Sequence, residues 1–453
     1  MIRRSRPRPR FALALCLLIV IGLPVRRAAA DQRSASPAVG GVAAASSFSF
    51  TLNTIDPAYG GNTKPGWVRS GDMDNDGDLD VVAGGGTALF IYENDGSAGG
   101  WTRHGSLDGT NSLGANGAVL YDVDGDTFLD VVSARYNADV GWWENPASTT
   151  LSTTAWTFHS LSSESYYLHD LIVADLDEDG EAQEFVANLN QGYWGANIKI
   201  KWFRPGLDPE LPWESHTIET GRSEVSSHGH AGMDVGEISG DGNVDLAYSN
   251  GWYEAPDDPG GTWNWHSVTD VYGISNTLLR NMDGDADLDL IVTGGHHGQG
   301  AFWLENPVFP ITGTWTLHAV SPTAGDVTAR RVYSSGLDYL HHPECLSVLD
   351  LDQDSDLDVV TCELFFGEDS GEPDWSDQAH NVYVYENLGD SLSWAEHNVA
   401  PNSYPNHLLQ TVDIDEDGWM DIIGESCGYS VISYLENNAE LAERIYLPLV
   451  ACD

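Results

Sequence analysis

Asp72-Met73-Asp74-Asn75-Asp76-Gly77-Asp78-Leu79-Asp80 runs directly into Val81-Val82-Ala83. Acidic side chains stand at positions 1, 3, 5 and 9 of a nine-residue stretch, glycine stands at position 6, and a β-branched run follows at once. The arrangement returns as Asp122/Asp124/Asp126/Asp130 and as Asp175/Asp177/Asp179 with Glu184 after one inserted residue. A weakened copy is Glu237/Ser239/Asp241/Asp245. Then come Asn281/Asp283/Asp285/Asp289, Asp350/Asp352/Asp354/Asp358 and Asp413/Asp415/Asp417/Asp421. Successive starts lie 50, 53, 62, 44, 69 and 63 residues apart. Self-similarity at such a period marks stacked supersecondary units.

Each unit carries the same remaining parts. A short apolar segment precedes the loop, as in Leu168–Ala174 and Leu346–Leu349. After the β-branched run comes an alternating stretch that ends in Glu-Asn, as in Phe90–Asn94, Trp142–Asn145, Phe302–Asn306, Val382–Asn387 and Ile432–Asn437. Trp252-Tyr253-Glu254 is a variant, and Ile198–Arg204 departs from the pattern. A Trp-x-x-His segment closes six units, at Trp101, Trp156, Trp213, Trp263, Trp315 and Trp394. Four short period-2 strands per unit, separated by Gly/Asn/Asp/Pro turns, predict an all-β, seven-bladed β-propeller of four-stranded blades. In the fourth unit, Asn250-Gly251 reads as the hairpin turn.

The seventh unit lacks its fourth strand. Phe50-Thr51-Leu52-Asn53-Thr54-Ile55 fits the missing template, with Phe for Trp and Asn for His. An N-terminal strand is therefore expected to complete the last blade and close the ring, which removes exposed sheet edges. Ile445–Val450 in the tail is a second strand-like run that could compete for the slot.

Oxygen donors at positions 1, 3, 5 and 9 suit a hard cation with six to eight ligands, Ca²⁺ more than Mg²⁺. An EF-hand is disfavoured, because position 12 holds Ala83, Thr361 or Gly424 rather than Glu and a strand follows in place of a helix. The competing reading is a set of Asp-rich turns that bind nothing. Up to seven structural Ca²⁺ sites are expected, with the loops at Asp72 and Asp413 most complete and the loop at Glu237 the poorest. Thr127, Ala286 and Ser355 stand where glycine is wanted and predict weaker sites.

The D-x-D-x-D-G-x-x-D loop between two strands, repeated about every 60 residues, resembles the FG-GAP/VCBS repeats of integrin α-chain N-terminal propellers and their secreted relatives. The resemblance covers roughly residues 48–437, although the Phe-Gly…Gly-Ala-Pro signature is not present as such. It implies a seven-bladed propeller with Ca²⁺ on the face opposite the ligand surface. It does not imply one function, since relatives include adhesion modules, lectin-like proteins and polysaccharide lyases.

The chain has 453 residues, and beyond residue 30 its 69 acids face only 13 bases, a formal charge of −56. So acidic a chain gains no counterion-release affinity for nucleic acid, which excludes that class of partner. Basic residues 1–10, apolar Phe11–Val25 and Ala28-Ala29-Ala30 read as a signal peptide over 1–30, so a secreted or cell-surface location is expected. An uncleaved anchor is the alternative, although the apolar run is short for a span. No transmembrane span is expected in the mature chain. Residues 31–48 read as a leader, 49–438 as the propeller and 439–453 as a tail. Among Cys345, Cys362, Cys427 and Cys452, the preferred pair is Cys345–Cys362, which brackets one strand pair at similar distances from Asp350 and Asp358.

Opposite the aspartate loops, the other strand ends gather His169, His228, His230, His296, His297, His341, His342 and His407. The sixth unit adds two insertions there: Ser321–Pro343, with Arg330 and Tyr333, and Glu363–His380, with Trp375. Three readings compete for this face: polar rim residues, a glycan pocket using aromatic stacking, or a lyase site with His or Tyr as base and Arg neutralising a uronate. His228-Gly229-His230 is also compatible with Zn²⁺ ligation, but lacks a fixed third ligand. The Trp-x-x-His histidines repeat in six units and are read as structural. The sequence thus points to a secreted calcium-binding module for an extracellular glycan or protein ligand, with a polysaccharide lyase as the alternative.

Overall fold

The computed structural model describes residues 48–59, 65–85, 88–96, 100–105, 116–135, 139–151, 156–162, 167–190, 198–222, 232–269, 274–285, 287–294, 300–321, 345–362, 381–400, 408–426 and 430–439. Among them, 28 strands form seven antiparallel four-stranded sheets. The first six sheets are consecutive in sequence and are called blades 1 to 6. Blade 1 comprises Trp67–Gly71, Asp80–Gly85, Ala88–Asn94 and Trp101–Arg103. Blade 7 comprises Leu408–Val412, Asp421–Ser426, Val431–Asn437 and, as its outermost strand, Phe50–Asp56 from the other end of the chain. Phe50 pairs with Asn437 and Asn53 with Tyr434. The chain is therefore a seven-bladed β-propeller.

Closure of the ring is visible in the contacts of the innermost strands. Each touches the innermost strand of the next blade, and Trp67–Gly71 of blade 1 meets Leu408–Val412 of blade 7. The core is divided accordingly. Seven apolar clusters form, each between two neighbouring blades. The second strands are covered on both faces, so Val81, Val82 and Ala83 are fully buried in succession. That explains a continuous β-branched run where a half-exposed strand would alternate.

One hairpin differs from expectation. Tyr248 pairs with Gly251, so Ser249 and Asn250 form the turn and Gly251 is already in the strand. A Cβ on Gly251 would lie 2.1 Å from the His266 carbonyl oxygen and 2.6 Å from the Trp265 ring. The glycine is needed for a close cross-strand approach, and the left-handed turn conformation falls on Ser249. Cys345 and Cys362 are disulfide-bonded across the first two strands of blade 6, with Cα atoms 5.3 Å apart. Residues 1–30, most of the 31–48 leader, residues 440–453, Cys427 and Cys452 lie outside the described residues.

Candidate metal loops and ligand face

Every aspartate loop joins the first two strands of its blade, and local hydrogen bonds shape it. The first acid accepts the backbone N–H groups of positions 5 and 6, as Asp72 does from Asp76 and Gly77 at 3.1 Å each. Asp122, Asp175, Asp350 and Asp413 repeat this. The fifth acid accepts the N–H of position 7, as Asp76 does from Asp78 at 3.0 Å. Positions 4 and 6 adopt positive φ throughout the described loops, including Thr127 at 82° and Ser355 at 84°. Only glycine enters that region without cost.

The ninth acid has a different task. Asp80, Asp130, Asp245, Asp289, Asp358 and Asp421 are all buried. One oxygen of Asp80 accepts the Met73 N–H and the other the Asn94 N–H, at 2.9 Å each. Asp130, Asp289, Asp358 and Asp421 do the same with Asn145, Asn306, Asn387 and Asn437, and Asp245 does so with Ala255. Burial pushes these carboxyls up against the amides that lower them, to about 7 for Asp80, 8 for Asp130 and 6 for Asp245. Three of the asparagine side chains then reach the preceding blade, Asn145 donating to the Met73 carbonyl at 2.8 Å, Asn306 to that of Ile238 at 3.4 Å and Asn94 to that of Ile414 at 3.4 Å. The recurrent Glu-Asn pair is thus a joint between loop, strand and neighbouring blade.

Asparagine's partner, the glutamate, meets the Trp-x-x-His histidine. Nε2 of His104, His159, His266, His318 and His397 lies 2.6–2.9 Å from Glu93, Glu144, Glu254, Glu305 and Glu386. Four histidines also stack on a tryptophan, at centroid distances of 4.2–4.5 Å. These contacts lie within the sheets, consistent with a structural use of the motif.

Five loops bring three carboxylate oxygens within 4.8 Å of one another. In blades 1, 2, 6 and 7 the three are the first, third and ninth acids: Asp72, Asp74 and Asp80; Asp122, Asp124 and Asp130; Asp350, Asp352 and Asp358; Asp413, Asp415 and Asp421. In blade 3 they are Asp175, Asp177 and Asp179. The fifth acids Asp76, Asp126, Asp354 and Asp417 are not in these triads, nor is Glu184. Glu237, Asp241 and Asp245 of blade 4, and Asn281, Asp283, Asp285 and Asp289 of blade 5, form no such triad among the described residues. Asp74 is 2% exposed and its Oδ1 is buried with no hydrogen-bond partner. Burial and the neighbouring charges of Asp76 and Glu93 raise its pKa. A buried acceptor-only oxygen in a cluster of acids is satisfied by a cation, so the residues fit a metal ion.

Of the candidate residues expected on the face opposite these loops, His169 alone is described. It is buried, and its Nδ1 lies 2.8 Å from Asp170, whose same oxygen accepts from Asn188 at 3.2 Å. His228, His230, His296, His297, Arg330, Tyr333, His341, His342, Trp375 and His407 lie outside the described residues.

A feature missed in the sequence lies on the outer flank, where Phe50–Asp56 of blade 7 faces the outer strands of blade 1. A cavity of about 600 Å³ is lined by Ile55, Asp56, Ala58, Phe90, Tyr92, Trp101 and Arg103. Buried Asp56 accepts from the Tyr92 hydroxyl at 2.9 Å and from Arg103 at 3.0 Å. Arg103 lies over the Phe90 ring, 5.0 Å from its centroid. Only Arg103, a basic residue where the other blades carry none, hinted at it.

The FG-GAP-like repeat family matches residues 72–133, which span the blade 1 loop through the second strand of blade 2. No curated protein matches. Among solved structures, an Agrocybe aegerita lectin studied for recognition of non-reducing terminal N-acetylglucosamine aligns at 15% identity, over 75% of this chain and 82% of its own, with a TM-score of 0.45. The V. cholerae biofilm matrix protein Bap1 aligns at 10% identity over 86% and 91%, with a TM-score of 0.47. A Bacillus licheniformis rhamnogalacturonan lyase aligns at 13% identity over 85% and 75%, with a TM-score of 0.44. The chain is thus a seven-bladed propeller that carries an FG-GAP-like repeat.

Proposed function

We propose that this propeller is an extracellular, Ca²⁺-stabilised binding module for glycan or protein ligands. Export follows from residues 1–30, whose basic, apolar and small-residue zones read as a signal peptide. The observation that carries the metal assignment is the buried, unpartnered Oδ1 of Asp74 beside Asp72 and Asp80. A hard, oxygen-seeking dication suits that donor set. In blades 1, 2, 6 and 7 the ion would be held by the first, third and ninth acids. It would supply charge neutralisation at a hairpin turn and hence stability.

The histidine face supplies the ligand surface in this reading, through Arg330, Tyr333, His342 and Trp375 on the two blade 6 insertions. The flank cavity is a second candidate. Its volume falls in the range of small-ligand sites, and it combines aromatic walls with a few polar groups. Trp101 and Phe90 offer stacking faces, and Arg103, about half exposed, offers donors to sugar hydroxyls or a uronate.

The test is a glycan array probed with the full secreted chain in Ca²⁺ and after chelation. Retention of specific sugars that is lost on chelation supports the reading. Unsaturated uronide products absorbing in the ultraviolet would replace it with the lyase. No binding to any glycan or extracellular protein would overturn it.

A further inference from the structure

Blade 3 breaks the repeat at three adjoining points. Its ninth acid is Glu184, displaced by one extra residue. Its third strand ends in Arg204-Pro205 where five other blades have Glu-Asn and blade 4 has Glu254-Ala255. Its outer-strand His216 contacts Glu214, because no glutamate occupies the usual place.

These changes fit together. In the other six blades the residue after the glutamate donates its backbone N–H to the ninth acid, as Asn94 does to Asp80. Proline has no N–H to donate. Glu184 accepts the Leu176 N–H at 2.9 Å through one oxygen, and its other oxygen lies 3.4 Å from Nη1 of Arg204. The same Nη1 donates to the third-position acid Asp177 at 2.5 Å, and Nη2 reaches Glu214 at 3.4 Å. One guanidinium therefore joins the third acid, the ninth-position acid and the outer strand. In blades 1, 2 and 7 the third and ninth acids converge with the first, and among the described residues no ion pair joins these acids to a basic side chain. Arginine stays protonated at any working pH, and its planar fork suits several carboxylates at once. A dication among Asp175, Asp177 and Asp179 would meet a fixed positive charge and lose Asp177 to an existing partner.

We propose that Arg204 takes the place of the divalent ion in blade 3, a built-in cation that clamps the turn, so that the ring draws its metal into other loops and not into this one. This rests on the reading of the aspartate loops as Ca²⁺ sites.

Bound Ca²⁺ per full chain, measured by equilibrium dialysis with elemental analysis, tests it. Asp74→Asn is expected to lower the stoichiometry by one ion, whereas Asp177→Asn is expected to leave it unchanged. Asp177→Asn should also lower the melting temperature in chelator, because the Asp177–Arg204 clamp needs no metal. Arg204→Glu combined with Pro205→Asn restores the sequence of the other blades and is expected to add one ion. Loss of one ion in Asp177→Asn would overturn the inference and leave the calcium reading intact. Wild-type protein that binds no Ca²⁺ would overturn the reading beneath it.

Discussion

The side-chain amide of Asn53 donates to Glu436 at 2.8 Å, joining residues 383 positions apart. Asn53 occupies the place that histidine fills in the other blades, and Glu436 is the glutamate of the last Glu-Asn pair. The N-terminal strand therefore enters blade 7 by the same side-chain code that closes blades within one unit.

Removal of Ser49–Asp56 should expose the edge of Val431–Asn437 and open the core between blades 6 and 7, where Phe48 and Phe50 pack. The expected result is loss of the cooperative urea transition. Asn53→Ala should cost about 1 kcal/mol, the net worth of one hydrogen bond. Asn53→His should retain most of that, since it rebuilds the pair seen at His104 and Glu93.

Stripping divalent metal should lower the melting temperature and restore it on titration with Ca²⁺. At a free concentration 100 times the dissociation constant, one site contributes about 2.7 kcal/mol. An unchanged thermal transition after chelation would contradict the metal role of Asp72, Asp74 and Asp80.

In the metal-free protein the ninth acids give stability a definite slope with pH. Asp80, Asp289, Asp358 and Asp421 are each raised to about 7 by burial, well above an ordinary aspartate. The folded state binds these protons more tightly than the unfolded chain. The contribution is complete below the unfolded value near 4 and is lost as pH rises through the folded value, so stability should fall from about pH 4 to about pH 7. Urea midpoints of metal-free protein at pH 5 and pH 7.5 check this, and a higher midpoint at pH 7.5 would refute it.

Thr127 holds a φ of 82° at the loop position where Gly77, Gly180 and Gly418 stand in other blades. Thr127→Gly should relieve that strain and stabilise the protein by about 1 kcal/mol, seen as a raised denaturation midpoint. The Asn75 side chain bonds only the Thr127 carbonyl, which glycine retains.

Arg103→Ala should leave the fold intact, because the guanidinium is about half exposed. It should weaken retention of any sugar held at the flank cavity, read as faster dissociation on the array. Equal binding by the variant would move the ligand to the histidine face.

The blade count, the four-strand unit and the N-terminal strand that completes blade 7 were legible in the sequence, because strand period and loop spacing are local patterns that recur with each unit. The clustering of Asp72, Asp74 and Asp80 was legible for the same reason, whereas Asp76, expected beside them, is not in that triad. Tertiary structure alone decided how each acid is used. Asp80 is buried between amides from two strands, Arg204 reaches Asp177 across 27 residues, and Arg103 meets Asp56 across the seam where the chain ends close the ring. Such meetings depend on how sheets stack and where side chains cross from one strand or blade to another. Residue spacing along the chain does not encode those distances, and burial, which sets the charge of the ninth acid, exists only once the blades have packed.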